Sequence, residues 1–176
     1  MLSIVRLMNG GGLFETGAGG SAPKHVEQLT EQNHLRWDSL GEFCALGESL
    51  KYFGSVNGNA RASLLGIAVD VATQGILDNN KSPGRKVGQP DNRDSHFYFA
   101  LYWAQALAAQ TEDTEMANHF GPIATALLEN QELIVGELHT GRGAAVDLGG
   151  YYHTEALMTD AVMVPSATMK QVLGTT

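Results

Sequence analysis

One cysteine, Cys44, is all the chain contains, so an internal disulfide is excluded. Lying beside Phe43 in a helical pattern, it reads as a small buried hydrophobe rather than a nucleophile. Cations are scarce too: 11 Lys and Arg stand against 19 Asp and Glu, a net charge of -8. Polyanion binding rests on clustered cations, so no nucleic-acid surface is expected. No uninterrupted apolar run reaches the roughly 18 residues of a membrane span, and no membrane contact is expected. The N-terminus lacks the charged start and apolar core of a signal peptide, from which a cytoplasmic protein is expected. His34, His96, His119, His139 and His153 have no metal-ligand spacing such as H-x-x-x-H, and no serine stands in a nucleophile elbow. The acids are no better gathered: Glu15 is alone in a glycine-rich stretch, Asp70 falls in a helical pattern, and Asp91 and Asp94 sit beside Arg93. A hard cation needs several converging oxygens, which these do not assemble. Repeats, low-complexity tracts and linkers are absent, so residues 1–176 read as one domain.

Glycine, by contrast, is plentiful. Of 21 glycines, six crowd into Met8 to His25. Before that stretch, Ser3 to Met8 reads as a short, mostly buried strand; after it, Ser21 suits a helix N-cap and Pro23 a helical first turn. Strand, glycine loop and helix start follow in that order. A helix N-terminus carries unpaired N–H groups and about half a positive charge, and Lys24 and His25 add side-chain donors. The spacing matches neither the G-x-G-x-x-G fingerprint nor the G-x-x-x-x-G-K-S/T phosphate loop. An anion cradle and a plain glycine-rich turn therefore both remain open on spacing alone.

Further along, Ala22 to Asn33 reads as a helix with Val26 and Leu29 as its thin apolar side. Ser39 and Glu42 have capping-box spacing and open a helix carrying Leu40, Phe43, Gly47 and Leu50, ending near Gly54. Asn59 to Asn79 places Leu65, Ala68, Val69, Ala72 and Ile76 on one core-facing side. Asn80 to Arg93 is a loop by its proline and glycine content, and it gathers Lys81, Arg85 and Lys86; on charge alone it reads as solvated. Ser95 to Gln110 is apolar nearly all round, with Tyr98 over Tyr102 and Phe99 over Trp103, which predicts the central buried helix rather than a base-stacking platform. Asp113 to Leu138 is amphipathic through Phe120, Ile123, Leu127, Ile134 and Leu138, and Gly121-Pro122 is predicted to kink or split it. Gly141 to Gly143 reads as a turn, Ala144 to Leu148 as a short strand, and Gly149 to His153 as irregular. Ser166 caps a last short helix that frays by Gly174. The fold expected is an α-rich α/β domain, with five or six helices on a small sheet begun by Ser3 to Met8.

Three basic side chains stand out: His25 at the loop-to-helix junction, Arg36, and Arg85 in the cationic loop. A histidine near a helix start is often only a cap, and Arg36 has Asp38 close by for a partner. The motifs around them say more. MNGGGLFETGAGGSAPKHVEQLTEQNHLRW from Met8 to Trp37, GNARA at Gly58, LDNNKSPGRKVG at Leu77, DNRDSHFYFALYWAQALAAQTED at Asp91, VDLGGYYH at Val146 and PSAT at Pro165 together cover most of the chain. This sequence resembles the C-terminal segment of the monomeric type of NADP-dependent isocitrate dehydrogenase. The resemblance implies a fold like the C-terminal part of that family's NADP-binding domain. It also implies NADP as cofactor, with His25, Arg36 and Arg85 gripping the 2′-phosphate and Ser21 and Asp38 as neighbouring contacts. The chemistry suits the ligand, because a 2′-phosphate is close to a dianion near neutral pH and arginine's rigid fork holds such a group bidentately.

In that family the metal-binding aspartates, the proton-transferring lysine and tyrosine, and the substrate's serine segment lie upstream of the glycine loop. The resemblance therefore implies an NADP-binding segment without a complete active site. One alternative is a subunit completed by an N-terminal isocitrate dehydrogenase-like partner chain, which would bring Mg or Mn. Another is a non-catalytic oligomerising protein that has lost the ligand. Without the rest of the family's architecture, strand Ile4-Val5-Leu7 and parts of the helical faces would be uncovered, so a homo-oligomer, dimer or tetramer, is expected.

Overall fold

The computed structural model describes residues 22–175. The strand read at Ser3 to Met8, the glycine loop and Ser21 lie outside the described residues. Eight helices follow one another: α1 Ala22–Gln32, α2 Leu40–Asn57, α3 Ala60–Asp78, α4 Asn92–Ala109, α5 Thr114–Glu129, α6 Gln131–Leu138, α7 Ala156–Met163 and α8 Ala167–Leu173. Among the described residues every regular element is a helix, which overturns the expected α/β class and its small sheet. Ala144 to Leu148, read as a strand, has no strand to pair with among the described residues. The Gly143 and Val146 N–H groups instead donate, at 2.8 Å each, to the Gln32 and Thr30 carbonyls of α1. The last carbonyls of a helix have no donors of their own, and this segment supplies two.

The core is built around α4, as its all-round apolar character predicts. Phe97 and Leu101 are buried with Val69 and Ile76 of α3, Leu127 of α5, and Ile134 and Leu138 of α6. Full burial of each such side chain contributes about 1.5 to 3 kcal/mol. The predicted stacks form, with Tyr98 and Tyr102 rings 6.0 Å apart and Phe99 and Trp103 rings 5.6 Å apart. A second, smaller core joins Val26 and Leu29 of α1 to Leu35, Trp37, Leu148 and Met163.

α2 and α3 form a hairpin that turns at Gly58, whose φ of 63° suits glycine. Their backbones touch: a Cβ on Gly66 would sit 2.7 Å from the Gly47 carbonyl. By length and mean hydropathy α3 could also cross a membrane. Here it packs on α2 and α4, and on the α2 side Asp70 takes Lys51 at 2.7 Å.

Several local expectations change. α5 continues through Pro122, and the break comes at Asn130 instead. The proline is on the solvent side, where water can satisfy the carbonyl left without a donor. Cys44 is exposed rather than buried, because the buried stripe of α2 runs through Phe43, Gly47 and Gly54, about a quarter-turn away. Ser39 and Glu42 make no capping box, since Ser39 Oγ accepts from Asn92 and Glu42 from the Trp37 indole. Asp91 and Asp94 form that box at the start of α4. Ser166 caps α8 as read, accepting from the Met169 N–H at 2.9 Å.

Candidate functional site

The apolar stripe of α1 dictates where His25 goes. With Val26 and Leu29 buried, His25 lies at the edge of that stripe, half-buried, its ring edge-on to Trp37 at 5.5 Å. Its Nδ1 is buried and has no hydrogen-bond partner among the described residues. Burial, and then the neighbouring Arg36 charge, hold its pKa below the ordinary histidine value. Arg36 and His25 are thus brought together. The Arg36 Nε is likewise buried and without a partner among the described residues.

Arg36 sits in the link between α1 and α2, which is fastened to the start of α4. The Leu35 N–H donates to Asp91 Oδ2 at 3.2 Å, and the Leu35 carbonyl accepts from Asn92 at 2.7 Å. Asn92 Nδ2 then donates to the Trp37 carbonyl and to Ser39 Oγ, both at 2.8 Å. Asp38 is exposed, and its Oδ1 receives the Leu40 N–H at 3.1 Å, capping α2. No ion pair joins it to Arg36 among the described residues.

Arg85 is exposed, and its guanidinium makes no hydrogen bond among the described residues. Its main chain is held firmly. Gln28 of α1 donates to the Arg85 carbonyl at 3.0 Å, and His34 Nε2 donates to the Gly84 carbonyl at 2.9 Å. Within the loop, the Gly84 N–H reaches the Pro90 carbonyl at 2.8 Å and the Lys86 N–H reaches Gln89 Oε1 at 3.0 Å. Ser21 lies outside the described residues.

Beneath this surface runs a buried charge network that sequence reasoning did not assemble. Arg93 donates to Asp91 at 2.6 Å, to both the side chain and carbonyl of Asn33, and to the Val162 carbonyl. Arg142 reaches Asp91 at 3.0 Å and Asp94 at 2.6 Å, and His139 donates to Asp94 at 2.8 Å. Burial alone would push the Asp91 carboxyl up, but the Arg93 hydrogen bond and charge, with Arg142 behind them, hold it below the usual carboxylate range. Each of its arginines already pairs with a buried carboxylate, which makes it a fastening rather than a binding site, although Arg142 Nε, like Arg36 Nε, is buried without a partner among the described residues. The sequence signal was the Asp-x-x-Asp capping spacing around Arg93.

Elsewhere, an apolar groove of about 580 Å³ opens among α2, α4 and α8, lined by Phe43, His96, Phe99, Trp103, Met169 and Leu173. Among the described residues no group of three or more His, Cys, Asp or Glu is placed to hold a metal.

A family model described as monomeric isocitrate dehydrogenase matches residues 1–174. The chain belongs to the monomeric isocitrate dehydrogenase family. The NADP isocitrate dehydrogenase of Azotobacter vinelandii is 60% identical over 174 residues, covering 99% of this chain and 24% of its own length. NADP isocitrate dehydrogenase 2 of Colwellia maris is 59% identical over 99% of this chain and 23% of its own. Its namesake in Mycobacterium tuberculosis H37Rv is 58% identical over 98% and 23%. The chain thus spans 23 to 24% of the length of these curated relatives. For a monomeric isocitrate dehydrogenase segment of this size, the structure groups His25 with Arg36 and ties the Arg85 main chain to the same helix.

Proposed function

We propose that this chain binds the 2′-phosphate of NADP through His25, Arg36 and Arg85, with Ser21 and Asp38 at the edge of the site. The observation that carries the reading is the Arg36 Nε, a buried cationic donor with no acceptor among the described residues, beside a His25 Nδ1 in the same state. A buried donor left unmade costs about 1 to 3 kcal/mol, and more when charged. A phosphate oxygen is the acceptor that would relieve it. Arg36 then acts as the enclosed fork, His25 as a donor that gains a proton when the anion arrives, and Arg85 as a cation closing the exposed side. NADP, when bound, supplies a nicotinamide that accepts hydride.

The relatives are about four times as long as this segment, and we propose that oxidation of isocitrate needs it together with an N-terminal isocitrate dehydrogenase-like piece. Exposed apolar side chains favour association of some kind: Tyr52, Phe53 and Val56 on α2, and Ile67 and Val71 on α3, are each at least half exposed. A dimer or tetramer of this chain is the competing form. Light scattering at micromolar concentration, with and without cell extract, separates the two.

Calorimetric titration of the purified chain with NADP and with NAD tests the ligand. NADP is expected to bind more tightly, and Arg36→Ala or Arg85→Ala to weaken it by about 1.5 to 3 kcal/mol, roughly tenfold or more. Equal affinities for the two nucleotides would refute the reading.

A further inference from the structure

We infer that Gln28 and His34 are positioning residues that set the preference for a 2′-phosphorylated nucleotide by fixing where Arg85 stands. The inference rests on the reading of Arg85 as a phosphate ligand. Arg85 is exposed and its side chain is long, so its rotamers are costly to order, and the backbone beneath it determines where the guanidinium can reach. That backbone is gripped at two successive carbonyls. Gln28 holds the Arg85 carbonyl at 3.0 Å, and His34 holds the Gly84 carbonyl at 2.9 Å.

Both grips come from the piece of chain that carries the other two cations. Gln28 stands three residues after His25 on α1, so the two share a face. His34 stands two residues before Arg36. A carbonyl only accepts, so His34 must carry its proton on Nε2, and its ring is wholly buried. The loop closes on itself through Gly84 to Pro90 and Lys86 to Gln89, so it moves as a unit with those two anchors. His25, Arg36 and Arg85 are therefore held in one frame although 60 residues separate the first from the last.

A purely structural role for Gln28 and His34 would weaken NAD and NADP binding alike. A positioning role changes their ratio. The test is the ratio of NAD to NADP dissociation constants for the full chain, measured by calorimetry in Gln28→Met, His34→Phe, Arg85→Ala and the double variant Gln28→Met with Arg85→Ala. Gln28→Met keeps the length and removes the donor at the partly exposed rim of α1, so it reports even where His34→Phe does not fold. Each anchor variant is expected to cut the ratio about three- to tenfold with NAD affinity unchanged, and Gln28→Met to add nothing once Arg85 is gone. Gln28→Lys, which keeps a donor, is expected to restore part of the ratio. A ratio unchanged in Gln28→Met while Arg85→Ala abolishes it would overturn the inference and leave the phosphate site standing. Arg85→Ala without effect on the ratio would overturn both.

Discussion

The Arg93 guanidinium lies 2.7 Å from the main-chain carbonyl of Asn33, 60 residues away in sequence. Asn33 has a positive φ of 45°, uncommon for any residue but glycine and mildest for asparagine. Arg93 thus holds the turn that swings the chain from α1 towards Arg36, and it is itself held by Asp91.

Removing one partner of a buried ion pair leaves the other charge stranded, at a cost of about 3 to 5 kcal/mol. Asp91→Ala is therefore expected to lower the unfolding free energy by that order in urea melts. A loss under about 1 kcal/mol would show that Arg142 and Asp94 already suffice. The folded-state pKa of Asp91 is depressed, so its stabilisation is present above the unfolded carboxylate pKa and is lost as pH falls through the folded one. Wild-type stability should fall below about pH 4, and Asp91→Ala should show a shallower acid loss.

His25 titrates the other way. Its folded pKa is lowered, so the unfolded chain binds more protons in this range and stability declines as pH drops below about 6.5. A phosphate beside the ring would favour its charged form. Binding of NADP at pH 7 should then be accompanied by proton uptake, seen as a dependence of the calorimetric enthalpy on buffer ionisation heat. His25→Gln should bind with less uptake; identical uptake would remove His25 from the site.

Two glycine substitutions of the same chemistry should have opposite signs. Alanine improves helix propensity by up to about 1 kcal/mol over glycine. At Gly136 of α6 a Cβ meets nothing within 4 Å, so Gly136→Ala should raise the melting temperature. At Gly66 the new Cβ would lie 2.7 Å from the Gly47 carbonyl and 2.9 Å from the Lys51 nitrogen, both backbone. Overpacking there costs about 1 to 3 kcal/mol and outweighs propensity, so Gly66→Ala should destabilise. Equal shifts for the two variants would mean that α2 and α3 can separate freely.

Glu137 gathers the start of α8, accepting from Ser166 Oγ at 2.5 Å and from the Thr168 hydroxyl and N–H at 2.9 and 3.1 Å. Glu137→Ala should leave α8 without a fixed start, by about 1 kcal/mol. Hydrogen exchange would show faster loss of α8 amides with α4 unaffected. Unchanged α8 protection would assign the helix's stability to Met169 packing alone.

Where a helix turns one apolar face to the core, its residues announced it. Val26 and Leu29, the stripe from Leu65 to Ile76, and the all-round apolar α4 were each legible from their 3.6-residue period. α7 was not, because it has only eight residues and Leu157, 79% exposed, turns outward where the period would bury it. The expected strand at Ala144 to Leu148 does not form because the pairing of so short a segment depends on what lies opposite, which periodicity does not report. The site divides similarly. His25, Arg36 and Arg85 were reached through the family motifs, whereas their common frame is made by the Gly84 and Arg85 carbonyls and by the Arg93 network. Carbonyl acceptors belong to every residue and leave no mark in the sequence.

The end of α1 depends on residues made much later. Asn33 Nδ2 faces the Thr140 carbonyl, 107 residues on, and the Gln32 and Thr30 carbonyls wait for donors from Gly143 and Val146. During synthesis α1 therefore leaves the ribosome with its last turn unsecured, and only after the Gly141 to Gly143 turn has emerged can it close. Such distant closure is slow relative to local helix formation. Pulse-labelled exchange during refolding should find the α1 amides protected after those of α3 and α4, so the helix that begins the site is the last part of it to become firm.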